Sequence, residues 1–222
     1  LVYTESLFLM LSLWFFVFLK KKKWLLSALL SGLASGTRLV GVVLAVSLFI
    51  ELFNRPLSII HRSFLILLSL SGFIIYSYYL YTSVGDPWLF FHIQPVFGGG
   101  RSGSELIFLP QVIYRYIKII LTVDFHSFLF QRSFIELGIF VWALKMIIVR
   151  FRSYPLSQSL YVLLALLIPT MSGSLSSLPR YVLVLAPWLL PRDKRGVIIY
   201  AACSLLLGIY LFTRFAGGVF VS

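Results

Sequence analysis

The stretch GDPWLFFHIQPVFGGGR, residues Gly85–Arg101, is the first long break in a chain that is otherwise almost continuously hydrophobic. It opens with a Gly-Asp-Pro turn, continues through aromatic residues with two polar ones, and ends in three glycines and an arginine. Glycine and proline mark turns and loops, and aromatic side chains suit a membrane surface. We therefore predict a loop here, with apolar helices on either side of it.

The composition places the chain in a membrane. Its 222 residues are 60% hydrophobic and only 12% charged, where a soluble domain carries about 25% charged residues. The mean hydropathy is +0.98. We therefore predict an all-α, polytopic transmembrane helix bundle that forms a single transmembrane domain over residues 1–222.

The formal net charge of +12 could suggest a nucleic-acid partner. Lysine and arginine, however, cluster in the short loops between hydrophobic segments, where the positive-inside rule accounts for them. We therefore predict membrane lipid as a partner and no nucleic acid.

The cysteine content bears on disulfide bonds, and the first residues bear on whether the chain is part of a larger protein. The single cysteine, Cys203, lies in an apolar run and excludes an internal disulfide framework. The chain starts at Leu1 rather than at methionine and enters a hydrophobic helix almost at once, without the features of a signal peptide. We interpret it as the C-terminal part of a larger polytopic protein.

The hydrophobic segments predict about seven or eight membrane segments. The tetralysine Lys20–Lys23 follows the first and marks the cytoplasmic side, because cytoplasmic loops are rich in Lys and Arg. Trp24–Phe53 has about 30 residues, longer than the roughly 20 that span a bilayer, and is interrupted at Ser35-Gly36-Thr37-Arg38. We predict two short helices that meet in an outer turn holding Arg38. The other predicted segments are 7–19, 63–82, 133–149, 157–171, 181–190 and 196–212.

One further segment, Leu106–Asp124, has two possible interpretations. Its Arg115 and Lys118 lie three residues apart and so on one helical face. As a spanning helix it would place the basic loops that follow it outside. As an interfacial amphipathic helix it leaves them inside, which the charge rule favours. We predict an interfacial helix within an exoplasmic loop over residues 83–131.

In this topology eleven of the 19 lysines and arginines fall inside and seven outside. Outer loops are normally poor in these residues. Among the outer seven, Arg38 lies between two apolar half-helices and Arg180 begins a helix. Each either snorkels to the interface or faces a cavity or partner, and two guanidiniums on one side could grip a phosphate. An anionic ligand would account for this outer cluster.

Two acidic residues and one histidine share the predicted outer side. Glu5 is either a carboxylate favoured by the helix dipole, with Thr4 or Ser6 helping to cap, or a ligand for a hydroxyl or cation. Asp86 is a turn residue, a catalytic carboxylate or both. His92 is either a packed or interfacial histidine or a base. The sequence shows no metal-ligand spacing and no nucleotide-binding motif, so we predict no metal and no cofactor.

Several motifs, in their order along the chain, resemble the PIG-V type mannosyltransferases of the GT-C superfamily of polytopic glycosyltransferases. The motifs are YTESLF at 3–8, GLASGTRLVG at 32–41, GDP at 85–87, SLPRY at 177–181 and a Gly-aromatic-rich end. The resemblance runs over nearly the whole chain. It implies an enzyme that transfers a sugar, typically mannose, from a polyprenyl or dolichyl phosphate donor with inversion. The acceptor would be a glycolipid, a glycan or a protein at the exoplasmic or lumenal face.

The resemblance also implies roles for individual residues. Arg38 and Arg180 would neutralise the donor phosphate. Glu5 and Asp86 would be catalytic carboxylates that orient the acceptor or position the catalytic loop. The other implied substrate-binding residues are Tyr3, Trp88, His92, Gln94, Arg101 and Tyr181. In such families the main catalytic aspartate lies in an outer loop upstream of Leu1, so we expect the 222 residues alone to be inactive.

Short loops and the tetralysine favour a prokaryotic relative in the plasma membrane, with the active site facing out. In a eukaryote the site would face the lumen of the endoplasmic reticulum. The leading alternative is a transporter or flippase for an anionic or lipid-linked substrate, since broken helices and buried arginines also build anion sites. The interruption in Trp24–Phe53 has no clear partner in a second half, which argues against it. A non-catalytic membrane subunit is a third interpretation.

Overall fold

A computed structural model of the chain describes residues 4–53, 55–97, 101–176, 178–191 and 193–217. Over these residues the protein is all-α, with no strand, which confirms the predicted class. The α-helices are α1 (Glu5–Lys20), α2 (Trp24–Thr37), α3 (Val42–Phe53), α4 (Ile59–Val84), α5 (Leu89–His92), α6 (Leu109–Thr122), α7 (Phe128–Arg150), α8 (Leu156–Thr170), α9 (Leu178–Leu189) and α10 (Lys194–Ala216). Short 3-10 turns form at Leu39–Gly41, Gln94–Phe97 and Phe151–Ser153.

The lengths of the helices do not support seven or eight membrane segments. Among the described residues, α4 alone combines a length of at least 18 residues with the apolar composition of a membrane span. Other apolar helices are shorter, and α2 has 14 residues. A helix rises about 1.5 Å per residue, so α2 is about 21 Å long, which is shorter than the hydrocarbon layer of a bilayer, about 30 Å thick.

The chain divides into two compact units, Leu1–Val184 and Leu185–Ser222. The first unit contains α1 to α8 and the start of α9. The second contains the end of α9 and α10, whose first turn is capped by Asp193: Gly196 N donates to Asp193 Oδ2 at 2.7 Å. The residues of the candidate site described below belong to the first unit. A single transmembrane domain stays a prediction.

The predicted interruption within Trp24–Phe53 is confirmed. α2 and α3 are joined by Arg38, which is extended with φ −150° and ψ 140°, and by a 3-10 turn. Glycine is required at Gly41, because a Cβ there would lie 2.5 Å from the carbonyl oxygen of Ala34. The 3-10 turn thus folds back against α2 and holds Arg38 at the C-terminal end of α2.

α2 and α4 pack closely through glycines. Gly32 and Gly36 lie one turn apart on α2 and face Gly72 on α4. A Cβ on Gly72 would lie 2.0 Å from the oxygen of Gly32 and 2.6 Å from the nitrogen of Gly36. Across the same contact, Ser31 Oγ donates to the carbonyl oxygen of Ser69 at 3.3 Å. Small residues that allow such close backbone approach are typical of helix pairs in membranes.

The two ends of the bundle differ in chemistry. At one end the Arg55 guanidinium lies 5.7 Å from the ring centroid of Trp24, directly after the tetralysine Lys20–Lys23. At the other end Glu5, which starts α1, contacts Arg38 at the end of α2. The tetralysine and the predicted Arg38 site therefore lie at opposite ends of α1 and α2.

Candidate functional site

Residues 172–176, SGSLS, lie between α8 and α9 and are here called the serine loop. Two backbone hydrogen bonds tie this part of the chain to the segment before α6. Ser102 N donates to Ser172 O at 2.8 Å, and Ile107 N donates to Met171 O at 3.0 Å. The chain after the predicted 85–101 loop therefore lies beside the serine loop.

Three arginines donate to the serine loop. Arg115 Nη1 donates to Gly173 O at 3.0 Å, and Arg101 Nη2 donates to Ser176 O at 3.3 Å. Arg132 Nη2 donates to the hydroxyl of the same serine. These arginines come from α6, from the segment before it and from α7, so the loop contacts guanidiniums from three separate parts of the chain.

A buried tyrosine and glutamate hold the same loop. Tyr116 Oη donates to Glu136 Oε2 at 2.6 Å, accepts from Leu175 N at 3.0 Å and lies 3.3 Å from Ser174 Oγ. Arg132 Nε donates to Glu136 Oε1 at 2.8 Å. Tyr116 is 5% and Glu136 4% exposed. Burial, and then the neighbouring carboxylate, raise the pKa of Tyr116, so the phenol keeps its proton and remains a donor.

Glu5, Arg38 and Tyr181 form a second group of contacts. Arg38 Nη2 donates to Glu5 Oε1 at 2.8 Å, and the side chains are 17% and 13% exposed respectively. The Arg38 guanidinium lies 5.2 Å from the ring centroid of Tyr181. Thr4 precedes α1, but its side chain makes no capping hydrogen bond, so the predicted help from Thr4 is wrong.

The second oxygen of Glu5 has unmet hydrogen-bonding capacity. Oε2 is buried and has no hydrogen-bond partner among the described residues. A buried acceptor without a donor costs free energy, and each such group in a folded protein requires an explanation. A ligand hydroxyl or a water molecule would satisfy it.

Arg101 links the two groups. Its Nη1 donates to Gln94 Oε1 at 3.2 Å. Burial is the main cause that lowers the pKa of Arg101; the charges of Arg180 and Arg132 lower it further, while Tyr181 opposes them. Of these residues, Arg132 contacts the serine loop and Tyr181 contacts Arg38. Arg101 therefore lies within electrostatic reach of both groups.

We group these residues, with Arg180 of α9, under the name arginine site. Its arginines are Arg38, Arg101, Arg115, Arg132 and Arg180, and its carboxylates are Glu5 and Glu136. All five arginines are half-buried. Among the described residues of this cluster, five guanidiniums and two carboxylates give a formal net charge of +3. Positive charge held partly out of water attracts anions.

Asp86 and His92 pair with each other. Gly85, with φ +81°, ends α4, and Asp86 Oδ1 then accepts from Trp88 N at 2.9 Å. Asp86 Oδ2 lies 2.6 Å from His92 Nδ1, and this hydrogen bond is the main cause that lowers the pKa of Asp86. The predicted turn is therefore confirmed. In the described part of the chain, neither residue hydrogen-bonds to the arginine site.

The remaining predicted substrate-binding residues have separate positions. Trp88 is 49% exposed and packs among aromatic rings, with centroid distances of 5.9 Å to Phe90 and 6.2 Å to Phe91. Tyr3 lies outside the described residues, as do the three glycines at 98–100.

Sequence reasoning did not single out Tyr116, Arg132 or Glu136. The last two carried a signal, because they are oppositely charged, four residues apart and placed in a largely apolar helix. Tyr116 carried none: it lies four residues after Val112 on the buried face of α6, where an aromatic side chain is unremarkable.

No group of three or more His, Cys, Asp or Glu side chains that could hold a metal ion occurs in the described ranges. No family model, no curated protein and no solved structure matches the chain. The resemblance to PIG-V type mannosyltransferases therefore stays a prediction from the quoted motifs.

Proposed function

We propose that the protein is a membrane glycosyltransferase whose arginine site binds the phosphate of a polyprenyl- or dolichyl-phosphate sugar donor. The observation that carries the proposal is the net charge of +3 in a half-buried cluster. A phosphate supplies the negative charge and the acceptor oxygens that guanidiniums recognise. The same charges would stabilise the phosphate as it leaves the anomeric carbon, because it leaves as an anion.

Glu5 supplies the second element of the proposal. Its Oε2 is buried, has no donor among the residues that the structure describes and lies on the carboxylate that pairs with Arg38. A hydroxyl of the sugar or the acceptor would satisfy this oxygen beside the bound phosphate. In an inverting transfer the acceptor oxygen attacks the anomeric carbon and its proton passes to a carboxylate. The lipid phosphate departs with the electrons of the broken C–O bond.

The 85–101 loop is proposed as the acceptor side of the site. Asp86 and His92 form an exposed carboxylate–imidazole pair at its start. Arg101 at its end donates both to Gln94 within the loop and to Ser176 of the serine loop. The loop is therefore connected to the proposed phosphate site through one arginine. Mannose as the sugar follows from the family resemblance.

Membrane insertion through seven or eight segments of a GT-C like bundle is part of the same proposal. Large apolar side chains are exposed along α4, including Ile60 at 83% and Ile75 at 66%. Such surfaces are costly in water and are accommodated by lipid. Lys20–Lys23, at the end opposite the arginine site, would face the cytoplasm, which places the site on the exoplasmic side. Helices shorter than the bilayer would be accommodated by local thinning.

Sugar transfer from radiolabelled polyprenyl-phosphate-mannose tests the proposal in membranes expressing the complete reading frame. We expect label to move from the donor into a glycolipid, glycan or protein fraction. Movement of intact donor between leaflets without transfer would favour the transporter or flippase instead. If folded protein consumes neither this donor nor donors carrying other sugars, the glycosyltransferase proposal is wrong.

A further inference from the structure

We propose that Tyr116 and Glu136 are positioning residues that anchor the serine loop and thereby set the arginines that bind the donor phosphate. The identity of the anion rests on the function proposed above. The anchoring itself rests on the contacts of these two side chains, neither of which is proposed to touch the ligand.

The Tyr116 hydroxyl occupies the centre of the anchor. A phenol can donate one hydrogen bond and accept others. Here Oη donates to Glu136, accepts from Leu175 N and lies within hydrogen-bond distance of Ser174 Oγ. Leu175 is 1% exposed, so its N–H has no access to bulk water. Loss of the hydroxyl would leave a buried backbone donor and a buried carboxylate oxygen without partners.

Glu136 connects this anchor to an arginine. One of its oxygens accepts from Tyr116 and the other from Arg132 Nε. Arg132 also donates to the hydroxyl of Ser176. Both carboxylate oxygens are therefore engaged within the protein, and Glu136 fixes a guanidinium rather than offering an acceptor to a ligand.

The serine loop also contacts the other arginines, so a change in its anchor changes their positions. Ser176, next to the anchored Leu175, accepts from Arg101, and Gly173 accepts from Arg115. The chain then continues into α9, which holds Arg180. A displaced serine loop would move the acceptors that orient these guanidiniums. Weaker phosphate binding should follow although no ligand contact has been removed.

The experiment measures binding of polyprenyl phosphate to the purified full-length protein. We expect Tyr116→Phe to raise the Kd about tenfold, and Ser174→Ala to raise it in the same direction. The matched control is Tyr161→Phe, because Tyr161 is also buried and its hydroxyl donates to Ser12 Oγ at 3.4 Å within the helix bundle. This control should change the Kd less than about twofold.

Kinetics separates positioning from a general loss of folded protein. In the transfer assay, Tyr116→Phe should raise the donor KM, and kcat should fall as well because the same arginines stabilise the departing phosphate. Loss of folded protein would instead lower kcat and leave KM unchanged. In the double variant Tyr116→Phe with Glu136→Gln, the loss of binding free energy should be smaller than the sum of the losses in the two single variants. Both changes break the same contact.

Hydrogen exchange at the serine loop provides a readout that needs no ligand. The Leu175 amide should exchange faster in Tyr116→Phe than in wild type, and at an unchanged rate in Tyr161→Phe. Unchanged exchange, or equal Kd increases in the two tyrosine variants, would overturn the positioning role. A wild-type protein that binds no polyprenyl phosphate while its loop responds as expected would overturn the proposed function and leave the anchor in place.

Discussion

Gly72→Ala should destabilise the bundle, because α4 has no room for a methyl group where it crosses α2. The added Cβ would lie 2.0 Å from the oxygen of Gly32, where an ordinary C···O contact is about 3.3 Å. The neighbouring atoms are backbone, so the two helices must separate by roughly 1.3 Å. Overpacking of this kind costs about 1–3 kcal/mol, and alanine returns about 0.5–1 kcal/mol through its better helix propensity.

The middle of these two ranges gives a net loss of about 1 kcal/mol, which corresponds to a fall in Tm of roughly 2–4 °C for a chain of this size. Thermal unfolding of the purified protein in one detergent measures it. Gly138→Ala is the matched control, because Gly138 lies within α7 and its added Cβ would have no described atom within 4 Å apart from those of its own helix backbone and chain neighbours. That variant should have an unchanged or slightly higher Tm. If Gly72→Ala is as stable as Gly138→Ala, the close packing of α2 and α4 is wrong.

Two further predictions concern the carboxylates. Glu5→Gln should lower kcat roughly tenfold or more without raising the donor KM, because it removes the carboxylate charge that orients the attacking hydroxyl and leaves Arg38 more available to phosphate; a raised KM with unchanged kcat would contradict this role. The hydrogen bond from His92 lowers the pKa of Asp86. The pair therefore stabilises the turn at pH values above the ordinary aspartate pKa. This contribution to stability is lost as the pH falls through the lowered pKa. Carboxyl NMR should show Asp86 titrating below its ordinary range and moving up in His92→Ala; an unmoved titration would refute the pairing.

Local sequence chemistry predicted much of the helical architecture. A helix is present at each predicted hydrophobic segment, and the break before Arg38 follows from a glycine, a threonine and a charge between apolar runs. The Gly-Asp-Pro turn was also predictable, because Gly85 supplies a positive φ and Asp86 bonds two residues ahead. These features depend on neighbours in sequence.

The candidate site depends on tertiary contacts that the spacing of residues in the sequence does not predict. Arg115 and Lys118 share a helical face by position, yet Arg115 is half-buried against Gly173 while Lys118 is exposed. By its position on α6, Tyr116 is an ordinary buried aromatic residue, and only the fold brings the serine loop beside its hydroxyl. The seven or eight membrane segments stay a prediction, because hydropathy marks apolar runs, whereas among the described residues α4 alone is both long and apolar enough to cross a bilayer.

Equilibrium binding of polyprenyl phosphate to the purified full-length protein tests most directly the claim that the arginine site is an anion site. Wild type should bind, and Arg38→Ala and Arg180→Ala should each raise the Kd about tenfold or more, as expected for the loss of a charged hydrogen-bonding partner. Lys118→Ala, which removes an exposed charge from α6, should leave the Kd for polyprenyl phosphate nearly unchanged. Equal affinity in all four proteins would contradict the account.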